Sequence, residues 1–233
     1  MMDDPSLDGN AHRHALASLR RINWLSRSDR PVWKEILRHA RANSGERPLT
    51  ILDIAAGGGD LAIRLARLAH QNGVSVTIDG CDISLTALDF ATEQAAAANC
   101  DNIRFFQCDA LRQPFPQPEY DVVMCSLFLH HLNETDAILL LRRMKTAATQ
   151  LVLVDDLRRT RLGYWLAWLG CRILTRCQIV RADGPMSVEG AFTSSEALAI
   201  AAKAGLPHAA LQHHWPQRFT MSWRPCDRDV NAE

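Results

Sequence analysis

The sequence predicts an α/β protein, a doubly wound and mostly parallel seven-stranded sheet that ends in an antiparallel hairpin. Three observations predict it. Short apolar runs alternate with amphipathic helical stretches, a glycine-rich turn joins the first run to the helix after it, and two late runs lie only a short Pro216 turn apart. Near-continuous apolar strands separated by helices with one apolar face are the pattern of a parallel sheet covered on both sides.

Two helical segments lead, Ala11 to about Leu25 and a second opening at Pro31 behind Ser28 and Asp29. Proline in a first turn costs no hydrogen bond, and Val32, Trp33, Ile36, Leu37 and Ala40 recur on one face of the second. Asn43-Ser44-Gly45 breaks it. Strands are then expected at Leu49–Ala55, Val74–Cys81, Ile103–Gln107, Tyr120–Ser126 and Leu151–Val154, with helices at Asp60–His70, Ser84–Ala98 and Thr135–Ala147 between them. Thr193-Ser194-Ser195-Glu196 reads as a capping box, opening a helix that Gly205 closes. Ala209–His214 and Arg218–Trp223 form the hairpin. The expected organisation is an N-terminal helical cap over 1–44, one domain over 45–224 with a helical lid inserted at about 157–189, and a tail over 225–233.

Composition narrows the function classes. The 233 residues carry 26 basic and 26 acidic side chains, so the broad positive footprint of nucleic-acid binders is missing. The seven cysteines are scattered without a CxxC pair, which suggests free thiols in a reducing, cytoplasmic setting and no metal site. The N-terminal stretch is acidic and polar, unlike a signal peptide. Leu162 to Leu174, interrupted by Arg172, is too short to span a bilayer, so no stable membrane insertion is expected.

The run Ile51-Leu52-Asp53-Ile54-Ala55-Ala56-Gly57-Gly58-Gly59-Asp60-Leu61 passes from strand through glycine turn into helix. Small residues there let a ligand approach the backbone, and the helix N-terminus offers unsatisfied N–H groups. Gly57-x-Gly59-x-x-Ala62 formally satisfies a dinucleotide fingerprint, with Asp82 at the expected distance beyond it. Asp53 argues the other way. It is a charge inside an apolar strand just before the turn; burying it costs roughly several kcal/mol unless something pairs with it. It would repel a pyrophosphate and welcome a cation.

This segment resembles motif I of the class I S-adenosylmethionine-dependent methyltransferases, LDxGxGxG, with Asp53 at the acidic position, Gly57 and Gly59 at the later glycines and Ala55 where the first glycine falls. Gly80-Cys81-Asp82-Ile83-Ser84 is similar to that family's second-strand end, which implies Asp82 for the ribose hydroxyls. Phe106-Gln107-Cys108-Asp109-Ala110 is similar to its adenine site, implying Asp109 for the exocyclic amine and the Ala110 N–H for the ring. Tyr120–Ser126, containing Cys125, looks like the fourth strand, and Leu129-His130-His131-Leu132 follows it as in small-molecule members. The resemblance runs over roughly residues 48–224. It implies S-adenosylmethionine as cofactor, S-adenosylhomocysteine as product, and a binding set of Asp53, Ala55, Gly57, Gly59, Asp82, Ile83, Asp109, Ala110 and Cys125.

Methyl transfer is an in-line displacement in which the enzyme mainly aligns the reactants and excludes water. An oxygen or nitrogen acceptor also needs a proton acceptor, and His130 and His131 are the candidates by position. An acidic phenol or a carbanion-like ring carbon needs none. Asp155 and Asp156 end the fifth strand, either facing the cleft or standing in solvent. The Asn-Pro-Pro-aromatic type of signature of nucleic-acid methylating enzymes is not present where Cys125-Ser126-Leu127-Phe128 stands. The insertion carries Tyr164, Trp165, Leu166, Trp168, Leu169, Ile173 and Leu174, apolar surface that has to meet the sheet, a partner, a ligand or a membrane surface. In the resembled family that segment roofs the acceptor pocket. The expected partner is therefore a small apolar or aromatic acceptor, methylated on oxygen ahead of carbon or nitrogen. The competing readings are an NAD(P)-linked oxidoreductase and a non-catalytic S-adenosylmethionine-binding protein.

Overall fold

The computed structural model describes residues 29–42, 47–175 and 177–225. The helix expected at Ala11–Leu25, the break at Asn43–Gly45 and Cys226 lie outside them. One seven-stranded sheet runs through the centre. Its strands are β1 (Leu49–Ile54), β2 (Val76–Asp82), β3 (Ile103–Gln107), β4 (Tyr120–Ser126), β5 (Ala148–Leu157), β6 (Ala210–His214) and β7 (Arg218–Trp223). The order across the sheet is β3-β2-β1-β4-β5-β7-β6. β1 pairs parallel with both β2 and β4, with Ile51 opposite Val122 and Ile54 opposite Cys125. β7 lies antiparallel between β5 and β6, as the short turn at Pro216 requires. The sheet order reverses at the β1–β4 seam, which opens a crevice at the carboxyl ends of those strands.

Alternation along β1 divides the core. Ile51 joins Val122, Met124 and Leu153 on the face covered by α1 (Asp29–Ala42) and α2 (Asp60–Gln71), where Val32, Ile36, Ala62 and Leu65 are buried. Leu52 and Ile54 join Val123 and Val152 on the opposite face, beneath Leu140 and Met144 of α4 (Glu134–Ala147) and Ile200 of α7 (Ser194–Lys203). Between β2 and β3 runs α3 (Leu85–Ala97), whose N-terminal N–H group at Ala87 donates to the Ser84 hydroxyl at 3.3 Å. The capping box at Thr193 and Glu196 is formed, and Gly205 ends α7 region at φ 83°.

Several element ends differ from expectation, among them β2, which starts at Val76 rather than Val74. α1 begins at Asp29, so Pro31 sits inside its first turn. β5 extends beyond the apolar run at both ends, because Asp155 and Asp156 continue the ladder opposite Thr220 and Phe219 of β7. The insertion is two helices, α5 (Arg161–Leu174) and α6 (Gln178–Gly190), whose mutual packing buries Cys171, Cys177 and Val180. No described helix is long and apolar enough to cross a membrane.

Candidate active site

The carboxyl ends of β1, β2, β4 and β5 open into a cleft of about 860 Å³. Its floor begins where β1 gives way to Ala55, at φ 56°, and Gly57, at φ 53°. The chain then enters α2 through Gly59 at φ 73°. These left-handed conformations suit glycine and compress the strand-to-helix turn. A Cβ on Gly59 would stand 2.7 Å from the Phe105 ring and 2.9 Å from the Ala91 methyl, so this glycine serves close packing of α2 against β3 and α3. A Cβ on Gly57 would meet nothing within 4 Å.

Asp82, at the end of β2, ties the loop down. Its Oδ2 accepts the Gly57 N–H at 2.9 Å and its Oδ1 the Ser84 N–H at 2.9 Å. Asp53 is different. It is 2% exposed, and its Oδ2 is a buried atom with no hydrogen-bond partner among the described residues. Burial, reinforced by the charge of Asp82, pushes its carboxyl up to about 8. Both acids line the cleft, together with Ala55, Gly57, Ile83, Asp109 and Ala110. Asp109 is held at the far end of that wall, its Oδ1 accepting the Leu111 N–H at 2.9 Å and its own N–H donating to Gln113 Oε1 at 2.9 Å.

Across from the glycine loop, β4 ends in a 3₁₀ turn, Leu129–His131. His130 is buried there, and its Nδ1 lies 2.6 Å from Asp156 Oδ1. Its backbone N–H donates to Asp156 Oδ2 at 3.0 Å. Burial works to keep the imidazole neutral, but the Asp156 carboxylate outweighs it and holds His130 above the ordinary histidine value. His131 is exposed, its ring 4.2 Å from that of His130. Both histidines line the cleft.

Nine of the residues expected from the sequence thus stand on one cleft wall or floor or beside it: Asp53, Ala55, Gly57, Asp82, Ile83, Asp109, Ala110, His130 and His131. Gly59 and Cys125 do not reach it. Gly59 is packed beneath Phe105, and Cys125 is enclosed in the sheet core, where burial raises its thiol well above the ordinary value; β4 meets the cleft one residue later, at Ser126.

The sequence left Asp155 and Asp156 either facing the cleft or standing in solvent, and the structure corrects both: each is 1% exposed and neither lines the cleft. Asp155 accepts from the Thr220 hydroxyl at 3.0 Å and meets His214 Nε2 at 2.6 Å and Arg218 at 3.6 Å. The available signal was Leu157, an apolar residue that resumes the strand directly after both acids. The two inserted helices bound the remaining side, with Leu166, Ala167, Gly170 and Leu174 of α5 and Val188 of α6 on the cleft wall.

Residues 51–150 match a family model described as "Methyltransferase domain". The demethylmenaquinone methyltransferase of Deinococcus radiodurans is 37% identical over 109 residues, covering 46% of this chain and 43% of that protein. Residues 51–150 resemble a methyltransferase domain. The ubiquinone/menaquinone biosynthesis C-methyltransferase UbiE of Pseudomonas putida strain F1 is 33% identical to the chain over 126 residues, 52% of this chain and 47% of that protein. The chain spans about half the length of the curated relatives it matches. The methyltransferase fold recurs in solved structures. A SAM-dependent methyltransferase from Aquifex aeolicus superposes with a TM-score of 0.63 at 16% identity, over 94% of this chain and 99% of that one. An O-methyltransferase family 2 protein from Planctomyces limnophilus, in complex with apigenin, gives 0.69 at 14% identity over 96% and 63%. The matched methyltransferase segment contains the glycine loop, Asp82, Asp109 and the His130 turn, whereas Asp156 and the lid lie beyond it.

Proposed function

We propose that the protein transfers the methyl group of S-adenosylmethionine to a hydroxyl oxygen of a small, apolar aromatic acceptor, releasing S-adenosylhomocysteine. The observation that carries the cofactor half is the buried, unpartnered oxygen of Asp53 beside the Asp82 carboxylate at a glycine loop. A pair of carboxylates at that point suits a nucleoside that is cationic and disfavours the pyrophosphate of a dinucleotide, which sets the oxidoreductase reading aside. The open space over Gly57 is the close-approach surface such a ligand needs.

In this reading Asp82 takes the ribose hydroxyls, Asp109 and the Ala110 N–H the adenine, and the Asp53 side the cationic end. The bound cofactor supplies an electrophilic methyl on a sulfonium. Everything else falls to the chain itself. With Nδ1 facing Asp156, His130 keeps Nε2 to accept the hydroxyl proton of the acceptor, and Asp156 stabilises the imidazolium that results. Leu166, Leu174 and Val188 exclude water and select an apolar ring. The domain assignment follows, with residues 45–224 as the catalytic unit and 157–189 as its lid.

A ring carbon is the second reading for the acceptor atom, favoured by the relatives whose names state quinone or C-methylation; deprotonation of an adjacent ring hydroxyl by the same histidine would make that carbon nucleophilic. Calorimetric titration with S-adenosylmethionine, S-adenosylhomocysteine and NADH tests the cofactor: binding of NADH in preference to the other two defeats the reading. Incubation with methyl-labelled cofactor and hydroxylated naphthoquinols, with the product's labelled carbon assigned by NMR, tells oxygen from carbon.

A further inference from the structure

The inner side of the inserted helices is accounted for by the cleft; Leu162 and Trp165 on the outer side are not. On α5, Leu162, Trp165, Leu169 and Ile173 are 55%, 62%, 50% and 71% exposed. Spacings of three and four residues put them in one stripe along the helix, and Met186 of α6 is exposed as well. Leu169 and Ile173 also belong to the cleft lining, so the stripe runs to the cleft mouth. Contiguous apolar surface rimmed by polar groups marks a contact site on a soluble domain.

Charge identifies the partner. α5 contains Arg161 and Arg172 and no acidic residue, whereas α6 carries Arg181 beside Asp183 and Glu189, so the positive face is that of α5. The Arg172 guanidinium lies 3.9 Å from the centroid of the Trp168 ring. A helix that offers indoles, leucine and isoleucine on one side and flanking guanidinium groups has the chemistry of a bilayer interface, where the rings sit at headgroup depth and the cations meet lipid phosphates. With 14 residues it is about 21 Å long, shorter than the hydrocarbon core, so it lies in the plane of the surface. A second copy fits less well, because isologous pairing of this face would set Arg161 and Arg172 against their own like charges.

We propose that the outer face of the lid docks on an anionic lipid bilayer. That the acceptor then enters the cleft from the lipid, past Leu169 and Ile173, rests on the methyltransferase reading; the docking does not. The test is flotation of the full chain with phosphatidylcholine vesicles, with and without roughly a third phosphatidylglycerol, alongside calorimetric binding of S-adenosylhomocysteine. Leu162 and Trp165 do not line the cleft, so the double variant L162E/W165E should keep its melting temperature and nucleoside affinity while losing anionic-vesicle binding by about tenfold or more. In the single variant W165F, quenching of tryptophan fluorescence by brominated lipid should fall. Wild-type protein that fails to float with anionic vesicles overturns the docking, as does a stable dimer in sedimentation velocity that L162E/W165E dissolves. Loss of nucleoside binding in the wild type, with flotation intact, would overturn the methyltransferase reading instead.

Discussion

His130 Nδ1 stands 2.6 Å from Asp156 Oδ1, and the backbone N–H of the same histidine donates to Oδ2 of the same carboxylate. One acid therefore grips both the ring and the main chain of the residue that turns the chain out of β4. Such a double grip fixes the ring's orientation and its tautomer, which is what a proton acceptor at a cleft wall requires.

Asp156→Asn keeps the shape of that grip and removes its charge. His130 then falls back from its raised value, and because the imidazole has to be neutral to accept a proton, the acidic limb of the kcat/KM profile moves to lower pH. Turnover at the plateau is expected to fall by roughly 10²-fold as the imidazolium loses its counter-charge. The same pair shapes stability. Its contribution is fully present below the unfolded histidine value of about 6.5 and is lost as pH rises through the raised folded value. A pH–rate profile unmoved by Asp156→Asn would remove the dyad from the mechanism.

Much of this arrangement was legible in the sequence, and the reasons are local. Strand alternation, the glycine loop and the Thr193–Glu196 capping box are each written within a few consecutive residues, and each stands where the pattern places it. Asp156 was not legible because its partner is set 26 residues away by the path of β4 and β5. Asp155 meets His214 and Thr220 only once β7 has been inserted beside β5. The division of the lid into two helices was hidden for a related reason, since the close approach of α5 and α6 around Cys171 is a tertiary fact. Gly59 and Cys125 show the converse limit: a motif assigns a residue to a loop or strand end, but whether its atoms face ligand or core depends on Phe105 and on the sheet.

Asp53→Asn separates binding from stability. The wild-type carboxyl titrates near 8 when folded and near 3.9 when unfolded, so the folded state holds the extra proton between those values. Stability of the wild type should therefore decline as pH rises from about 4 to about 8 and then level, while the asparagine variant loses that slope. Denaturant midpoints measured across the range check the sign. A cationic ligand favours the ionised acid, so wild-type binding at about pH 7 should release protons, read as buffer-dependent heats in calorimetry. The variant should bind about tenfold more weakly and without that dependence.

Gly59→Ala and Gly57→Ala look alike in sequence and should behave differently. Both glycines have positive φ, which costs an alanine about 1 kcal/mol at either position. At Gly59 the new methyl also meets the Phe105 ring at 2.7 Å, adding an overpacking cost of about 1–3 kcal/mol. Chemical denaturation should show the larger loss at Gly59. Nucleoside affinity should suffer more, relative to stability, at Gly57, whose side of the loop is open to the cleft.

Asp79 provides the contrast that tests how the acids are read. It is buried in β2, as Asp53 is in β1, but its carboxylate accepts from Arg104 Nε and Nη2 at 2.9 Å, from the Tyr120 hydroxyl at 2.9 Å and from Gln117 at 3.1 Å. Burial and this carboxylate together push the Tyr120 phenol above its ordinary value. An acid so fully engaged serves the fold, and it is not on the cleft wall. Asp79→Ala strands the Tyr120 hydroxyl in the core and should cost about 1–3 kcal/mol, whereas Asp79→Asn keeps acceptor capacity and should cost less. Neither should alter nucleoside affinity beyond about twofold at temperatures where the variant is folded, a margin of under half a kcal/mol. If Asp79→Asn weakened binding as strongly as Asp53→Asn, the distinction between partnered acids of the sheet and the unpartnered acid of the site would fail, and with it the reason for placing the cationic ligand beside Asp53.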